Sequence, residues 1–280
     1  MQGMKLFNHV SLKCSKITTT SYSTSFSAGI KLLHKKFHNP IYAIYGFVRF
    51  ADEIVDTFHD FDKETLLKEF RAETYKAIEN KISLNPILHS FQNAVNEYKI
   101  DLDLIETFLE SMRMDLNRID YNKENFDKYI LGSAEVVGLM CLKVFCEGNQ
   151  EMYDKLKFPA MKLGSAFQKI NFLRDLNADF NQLGRSYFPN IDLTKFDNKV
   201  KLEIEADIEA DFQEGLRGIY QLPMGARLGV YVAFKYFHNL LLKIKKTNSS
   251  RIMHERIRIP NQQKFALLIN SYLRYRLNLL

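Results

Sequence analysis

At 280 residues, 46% of them hydrophobic and 26% charged, the chain has the make-up of a soluble globular protein near the upper size for one core. Its 12 glycines and 6 prolines are too few for a turn-rich β fold. Three cysteines, Cys14, Cys141 and Cys146, form neither a metal-ligand pattern nor a disulfide framework, which suits a reducing, cytoplasmic setting.

The net charge of +6 is uneven: residues 1–51 carry seven Lys/Arg and no acid, residues 241–280 carry nine with only Glu255, and the middle is strongly acidic. Basic ends around an acidic centre suit an anionic substrate or peripheral contact with an anionic membrane face. They argue against nucleic acid, because the basic residues are split between the two ends and no recognition motif accompanies them.

In chain order, residues 1–20 are Ser/Thr-rich and acid-free and read as a loosely ordered segment, with a faint transit-peptide character in which Lys stands where Arg is usual. Beyond them, breakers such as Pro40, Pro159, Pro223 and Pro260 punctuate segments whose apolar residues recur every three or four positions. The periodicity predicts helices over 22–36, 41–58, 63–79, 86–98, 101–117, 124–147, 151–182, 199–220, 224–246 and 261–278. Strand-like alternation is nowhere sustained, and no apolar run approaches the ~20 residues of a membrane span. The expectation is one all-α domain over residues 1–280.

Two stretches carry chemistry. In "FVRFADEIVD", Asp52 and Asp56 lie one helical turn apart, Glu53 precedes Asp56 by three residues, and Arg49 precedes Asp52 by three. In "QKINFLRDLNADF", Asn171, Asp175 and Asp179 form an i, i+4 column, with Gln168 before it and Arg174 beside Asp175. Either cluster alone reads as a solvated helix face. Two of them, each set among aromatic and aliphatic residues, suggest carboxylates on opposite walls of a bundle. Hard divalent cations that also hold a phosphate-bearing ligand would neutralise such walls.

These residues resemble the head-to-head trans-prenyl synthases, the squalene and phytoene synthase family, from about Tyr22 to Lys264. "YSTSF" is similar to the family's N-terminal serine motif, "IYAIYGFVRFADEIVD" to its first aspartate-rich helix and "YILGSAEVVGLM" to its mid-chain Tyr…Ala…Val-Gly helix. "LGSAFQKINFLRDLNADFNQLGRSYFP" is similar to the second aspartate-rich helix, and "MHERIRI" to the late basic segment. The resemblance implies an isoprenoid-synthase helical bundle around a central apolar cavity, with Mg²⁺, or Mn²⁺ in its place, held by Asp52, Glu53, Asp56, Asn171, Asp175 and Asp179. It implies diphosphate contacts from Ser23, Ser25, Tyr45, Arg49, Gln168, Arg174, Tyr236 and Arg256, although Thr24 stands where some members have lysine and a short insertion separates Tyr236 from Arg256.

By the same resemblance Tyr129 joins the four aspartates as a catalytic residue, and Phe26, Ala134, Val137, Gly138 and Phe167 line the cavity. Aromatic faces stabilise carbocations and apolar walls exclude water, which adds Phe47 and Phe172 as wall candidates. Arg185 and Tyr187 resemble the end of the second motif, at the polar mouth. The chain is most like bacterial phytoene synthases. That implies condensation of two geranylgeranyl diphosphates to phytoene through prephytoene diphosphate, with release of two diphosphates. The alternative is squalene or dehydrosqualene synthesis from farnesyl diphosphate, of which only squalene formation needs NADPH. A catalytically silent homologue that acts in binding or assembly would be expected to have lost metal ligands, and both aspartate pairs are present. Oligomeric state is not legible.

Overall fold

The amphipathic segments fold as helices throughout, and no strand occurs among the described residues. The computed structural model describes residues 2–116, 122–183, 188–189 and 196–277, and their side chains except those of 2 and 177–183. Arg185 and Tyr187 lie outside the described residues.

The first helix overturns the expectation of a loose leader. Helix α1 (Gln2–Tyr22) packs along α3 (Lys35–Asp56) and α5 (Pro86–Tyr98). Its hydroxyls make that possible. Ser11, Ser15, Thr18 and Thr19 are buried, and Ser11, Thr18 and Thr19 donate to carbonyls one turn back. A polar composition that reads as disorder is thus a face of small residues that satisfy their own hydrogen bonds. A Cβ at Gly46 of α3 would lie 3.0 Å from the Ser15 hydroxyl, so the two helices run nearly backbone to backbone there.

Residues 22–36 also differ from a single helix. Ser23 caps a separate α2 (Thr24–Lys31) by accepting from the Phe26 N–H, and His34 caps α3. Pro40 lies in the second turn of α3, where it removes one intrahelical donor and the helix nevertheless continues. Helices α4 (Lys63–Asn80) and α5 end in left-handed residues, Lys81 and Lys99. Helices α6 (Leu102–Asp115) and α7 (Lys123–Ile130) follow, and a π-helical turn at Leu131–Glu135 joins α7 to α8 (Val136–Cys146). The helical stretch Lys123–Cys146 is, after all, long and apolar enough to cross a membrane, but 56% of its window is buried inside the bundle, as in a core helix.

The long α9 (Gln150–Leu183) packs on α8 and on α10 (Asn198–Ile219). Helix α11 (Met224–Lys245) closes the bundle against α2 and α10, a short α12 (Ser249–Ile252) touches α9, and α13 (Asn261–Arg276) lies on α11. One continuous apolar cluster fills the spaces between helices. Phe47 belongs to it rather than to a cavity wall: it is fully buried, with its ring stacked 3.9 Å from that of Phe91 and 5.6 Å from that of Phe70.

Candidate active site

A cavity of about 560 Å³ opens between α2, α3, α8, α9, α10 and α11. Helix periodicity sets its lining. On α3 the lining residues fall every three or four positions from Ile41 to Asp56, about 22 Å of helix at 1.5 Å per residue. On α9 they run from Leu156 to Asp175, about 28 Å. On both helices the early residues are apolar and the late ones polar. The cavity therefore has an aliphatic and aromatic body and a charged mouth where the C-terminal half of α3 faces that of α9.

Small residues keep the body open. A Cβ on Gly138 would lie 3.1 Å from the Ala160 carbonyl oxygen, and one on Gly229 would lie 2.6 Å from the Gly29 carbonyl oxygen. The walls α8–α9 and α2–α11 thus meet at their backbones, and no side chain projects from these points into the space between them. Cys141 also lines the body, where burial pushes its thiol up to about 12 and keeps it neutral.

At the mouth the α3 wall presents Tyr45, Arg49, Asp52 and Asp56. Arg49 pairs with Glu53 one turn on, lies 3.9 Å from Asp52, and carries its guanidinium 4.3 Å from the Tyr22 ring centre. Glu53 is not part of the lining, because this pairing turns it towards Arg49. Asp52 retains 31% of its side-chain surface. Even so, desolvation, with Asp56 and Asp115 adding like charge against the relief from Arg49, pushes its carboxyl up to about 7. Burial likewise raises the Tyr45 hydroxyl, a shift that the Ser23 hydrogen bond and Arg49 partly offset.

The α9 wall presents Gln168, Asn171, Arg174 and Asp175. Asp175 is clamped between arginines. Arg174 donates to both its oxygens, and Arg256, from the segment after α12, places Nε 2.6 Å from Oδ1 and Nη2 3.2 Å from Oδ2. The Asn171 Oδ1 is buried without a hydrogen-bond partner. Asp179 stands on α9 one turn beyond Asp175, and its side chain is outside the described residues.

Phe26, Ala134, Val137, Gly138, Phe167 and Phe172 all line the cavity, as does Tyr129. Phe26 and Phe167 meet edge to face at 6.2 Å. Ser25 sits half-buried in the first turn of α2, away from the lining, while Ser23 reaches the site only through Tyr45. Tyr236 lies outside the lining, packed against Phe237 with Lys264 over its ring at 5.1 Å.

Two oxygen-bearing side chains of the lining escape sequence reasoning. Asp115, the last residue of α6, is buried and accepts a 2.7 Å hydrogen bond from the Tyr129 hydroxyl. Ser133 enters from the π turn. A lone acid at a helix end carries no spacing signal, and a π turn shifts the residues that follow out of α-helical register.

Among the described residues, no three of His, Cys, Asp and Glu gather closely enough to enclose an ion by themselves. The donors are instead divided across the mouth, all of them hard oxygens, with the unpartnered Asn171 oxygen facing the same space. Such a set fits a hexacoordinate cation that takes a carboxylate or two from the protein and the rest from water and phosphate.

The family model for squalene/phytoene synthase matches residues 19–263. Among curated proteins, the phytoene synthase of Arthrospira platensis is 26% identical over 290 residues, covering 94% of this chain and 92% of its own. The 15-cis-phytoene synthase of Synechococcus elongatus is 27% identical with the same two coverages. The 4,4'-diapophytoene synthase of Staphylococcus haemolyticus is 26% identical but covers 68% of this chain and 66% of its own. Among solved structures, a dehydrosqualene synthase in complex with ligand superposes with a TM-score of 0.83 at 20% identity, over 95% of this chain and 98% of its own. The squalene synthase HpnC of Alicyclobacillus acidocaldarius gives 0.75 at 20% identity, over 85% and 94%. These structures share the fold.

Proposed function

The chain belongs to the squalene/phytoene synthase family, prenyltransferases that condense isoprenoid diphosphates head to head, and we propose that it joins two geranylgeranyl diphosphates into phytoene as one catalytic domain. The observation that carries this reading is the division of the cavity into a charged mouth and a long apolar body. The sixteen main-chain carbons of a geranylgeranyl group extend to about 20 Å by ordinary C–C geometry. The apolar lining runs about 10 Å along α3, from Ile41 to Val48, and about 16 Å along α9, from Leu156 to Phe167, so the longer wall accommodates most of such a chain. Relatives that match nearly the whole chain carry the phytoene synthase name.

In this reading Asp52, Asp56, Asn171, Asp175 and Asp179 hold Mg²⁺, with Glu53 outside the ligand set and orienting Arg49. A cation held there would supply the charge neutralisation that makes diphosphate a leaving group. Arg49, Arg174 and Arg256 would bind the diphosphate oxygens, the last two giving up their contacts with Asp175 and so leaving that carboxylate available as a ligand. Tyr45 and Gln168 donate further hydrogen bonds to the diphosphate, with Ser23 holding Tyr45. Ser25 and Tyr236 lie outside the lining and are assigned no phosphate contact in this reading. Tyr129, fixed by Asp115, presents its ring to the allylic cation, and Phe26 and Phe167 close the wall against water. Ala134, Val137 and Gly138 leave room for the second prenyl chain.

Purified protein incubated with geranylgeranyl or farnesyl diphosphate, Mg²⁺, and with or without NADPH tests the assignment. Phytoene from the C20 substrate without reductant is expected. A C30 hydrocarbon from farnesyl diphosphate alone would overturn the substrate, and a requirement for NADPH would overturn the product.

A further inference from the structure

A second cavity, of about 320 Å³, lies between α10, α11 and α13. Helix spacing builds it. Tyr231, Phe234, Lys235 and His238 fall on one face of α11, opposite Glu209 and Phe212 on one face of α10. Its body is aromatic. The Phe234 ring runs close to parallel with those of Tyr231 and His238, at 6.0 and 5.3 Å. The Phe212 ring stands edge-on to Phe234 and His238, at 5.6 and 5.5 Å. Tyr220 and Arg274, both exposed, mark the side that opens to solvent.

Charge defines what this cavity lacks. Lys235 is half-buried, and among the described residues no carboxylate pairs with its ammonium. Burial, and after it the like charge of Arg274, hold that ammonium below its ordinary value. Arg274 itself hydrogen-bonds the Tyr231 hydroxyl. Glu209, the one acid on the described lining, is already taken up: it accepts from His238 Nε2 at 3.0 Å and from Lys245 at 2.6 Å. With Nε2 turned to that carboxylate, the buried Nδ1 of His238 is left without a partner. The lining thus bears a desolvation cost at Lys235 that nothing described in the chain offsets.

A bound anion would offset it, and the surrounding rings favour a flat body on that anion. A diphosphate suits the site poorly, because the lining offers two basic side chains and no pair of carboxylates for a neutralising cation. We infer that this cavity is a binding site for a small aromatic carboxylate, held by Lys235 and Arg274 with its ring among those of Phe212, Tyr231 and Phe234. The volume sits at the low end of the roughly 300–1,000 Å³ of small-molecule sites, which suits one or two fused rings. The site is separate from the catalytic cavity yet shares two walls with it. Gly215 and Ile219 of α10, and Val230 and Ala233 of α11, line the catalytic side, and the Phe212 ring lies 6.1 Å from that of Phe167. Its test reads binding without turnover, so its outcome is separate from that of the substrate assignment.

The probe is 1-naphthoate, titrated into the full chain in chelator and followed by calorimetry and saturation-transfer NMR. The wild type is expected to bind it saturably. Neutral 1-naphthamide and aliphatic octanoate should each bind about tenfold more weakly or worse, since one lacks the charge and the other the ring. Lys235→Met should lose about tenfold or more in affinity for naphthoate, and Lys235→Arg should keep most of it. Because Lys235→Met removes an unpaired, half-buried cation, its thermal transition should be no lower than that of the wild type. Arg49→Gln, at the mouth of the other cavity, should bind naphthoate as the wild type does. No saturable binding, equal affinity for the amide or for octanoate, or an affinity that Lys235→Met leaves unchanged would overturn the inference. So would a destabilised Lys235→Met, which would reveal a partner for the ammonium within the chain. A loss of binding in Arg49→Gln would overturn it as well, since naphthoate would then occupy the catalytic cavity.

Discussion

The two walls of the mouth share a sequence logic and differ in electrostatic state. On α3, Arg49 is held by Glu53, and Asp52 is left beside Asp56 and Asp115 with its carboxyl pushed up to about 7. On α9, Asp175 already has two arginines on it. On the α3 wall Arg49 is taken up by Glu53, whereas on the α9 wall two arginines sit on Asp175 itself. Under the proposed function one spacing would yield two tools: a wall that gains by binding a cation, and a wall whose arginines would pass from a carboxylate to a diphosphate.

The largest effects should come from neutralising each wall in turn. Asp52→Asn and Asp175→Asn should each lower turnover by about a thousandfold or more, because leaving-group stabilisation is lost. Their effects on the metal-free fold should have opposite signs. Asp52→Asn relieves repulsion and should raise the melting temperature at neutral pH. Asp175→Asn leaves Arg174 facing Arg256 and should cost about 1 kcal/mol, as for a partly exposed ion pair. Thermal denaturation in chelator, beside steady-state assays, reads both; shifts of the same sign would dissolve the contrast.

Arg256→Gln should act less severely. It removes a diphosphate contact but no metal ligand, so kcat/KM should fall about ten- to a hundredfold. Arg49→Gln should fall in the same range and, in addition, release Glu53. An Arg256→Gln enzyme with wild-type kcat/KM would confine that arginine to a structural role.

The i, i+4 columns were legible because α3 and α9 are regular helices, so that spacing alone gathers Asp52 with Asp56 and Asn171 with Asp175. The pairing of Arg256 with Asp175 spans 81 residues and follows only from how the segment after α12 folds back. Asp115 gave no periodic signal. Helix α1 was misread because Ser and Thr were weighed as polar rather than small, and Phe47 because aromatic spacing does not distinguish core from cavity. In each case the missing quantity was which neighbour the helix face would meet.

A subtler test is pH. A carboxyl raised to about 7 in the folded protein, against an ordinary value near 3.8, holds a proton that the unfolded chain has released. The folded state then binds more protons between those values, so metal-free stability should decline as pH rises from about 4 to about 7 and then level off. Asp52→Asn should flatten this decline, while Asp175→Asn should leave it in place. A wild-type profile flat over that range would remove the crowding assigned to the α3 wall.

The smallest effect concerns the residue that links this wall to the aromatic cavity. The Tyr129 hydroxyl donates to Asp115, and Asp115 is one of the charges that raise Asp52. Tyr129→Phe keeps the ring but withdraws a donor from a buried carboxylate, which should cost about 1 kcal/mol. With the Asp115 charge less offset, the carboxyl of Asp52 should move slightly further up, carrying the end of the stability decline to higher pH. If the ring face is what meets the carbocation, Tyr129→Phe should retain most turnover and Tyr129→Leu should lose clearly more. Equal loss in both would instead place the function of Tyr129 in its hydroxyl, and hence in setting the charge of the α3 wall.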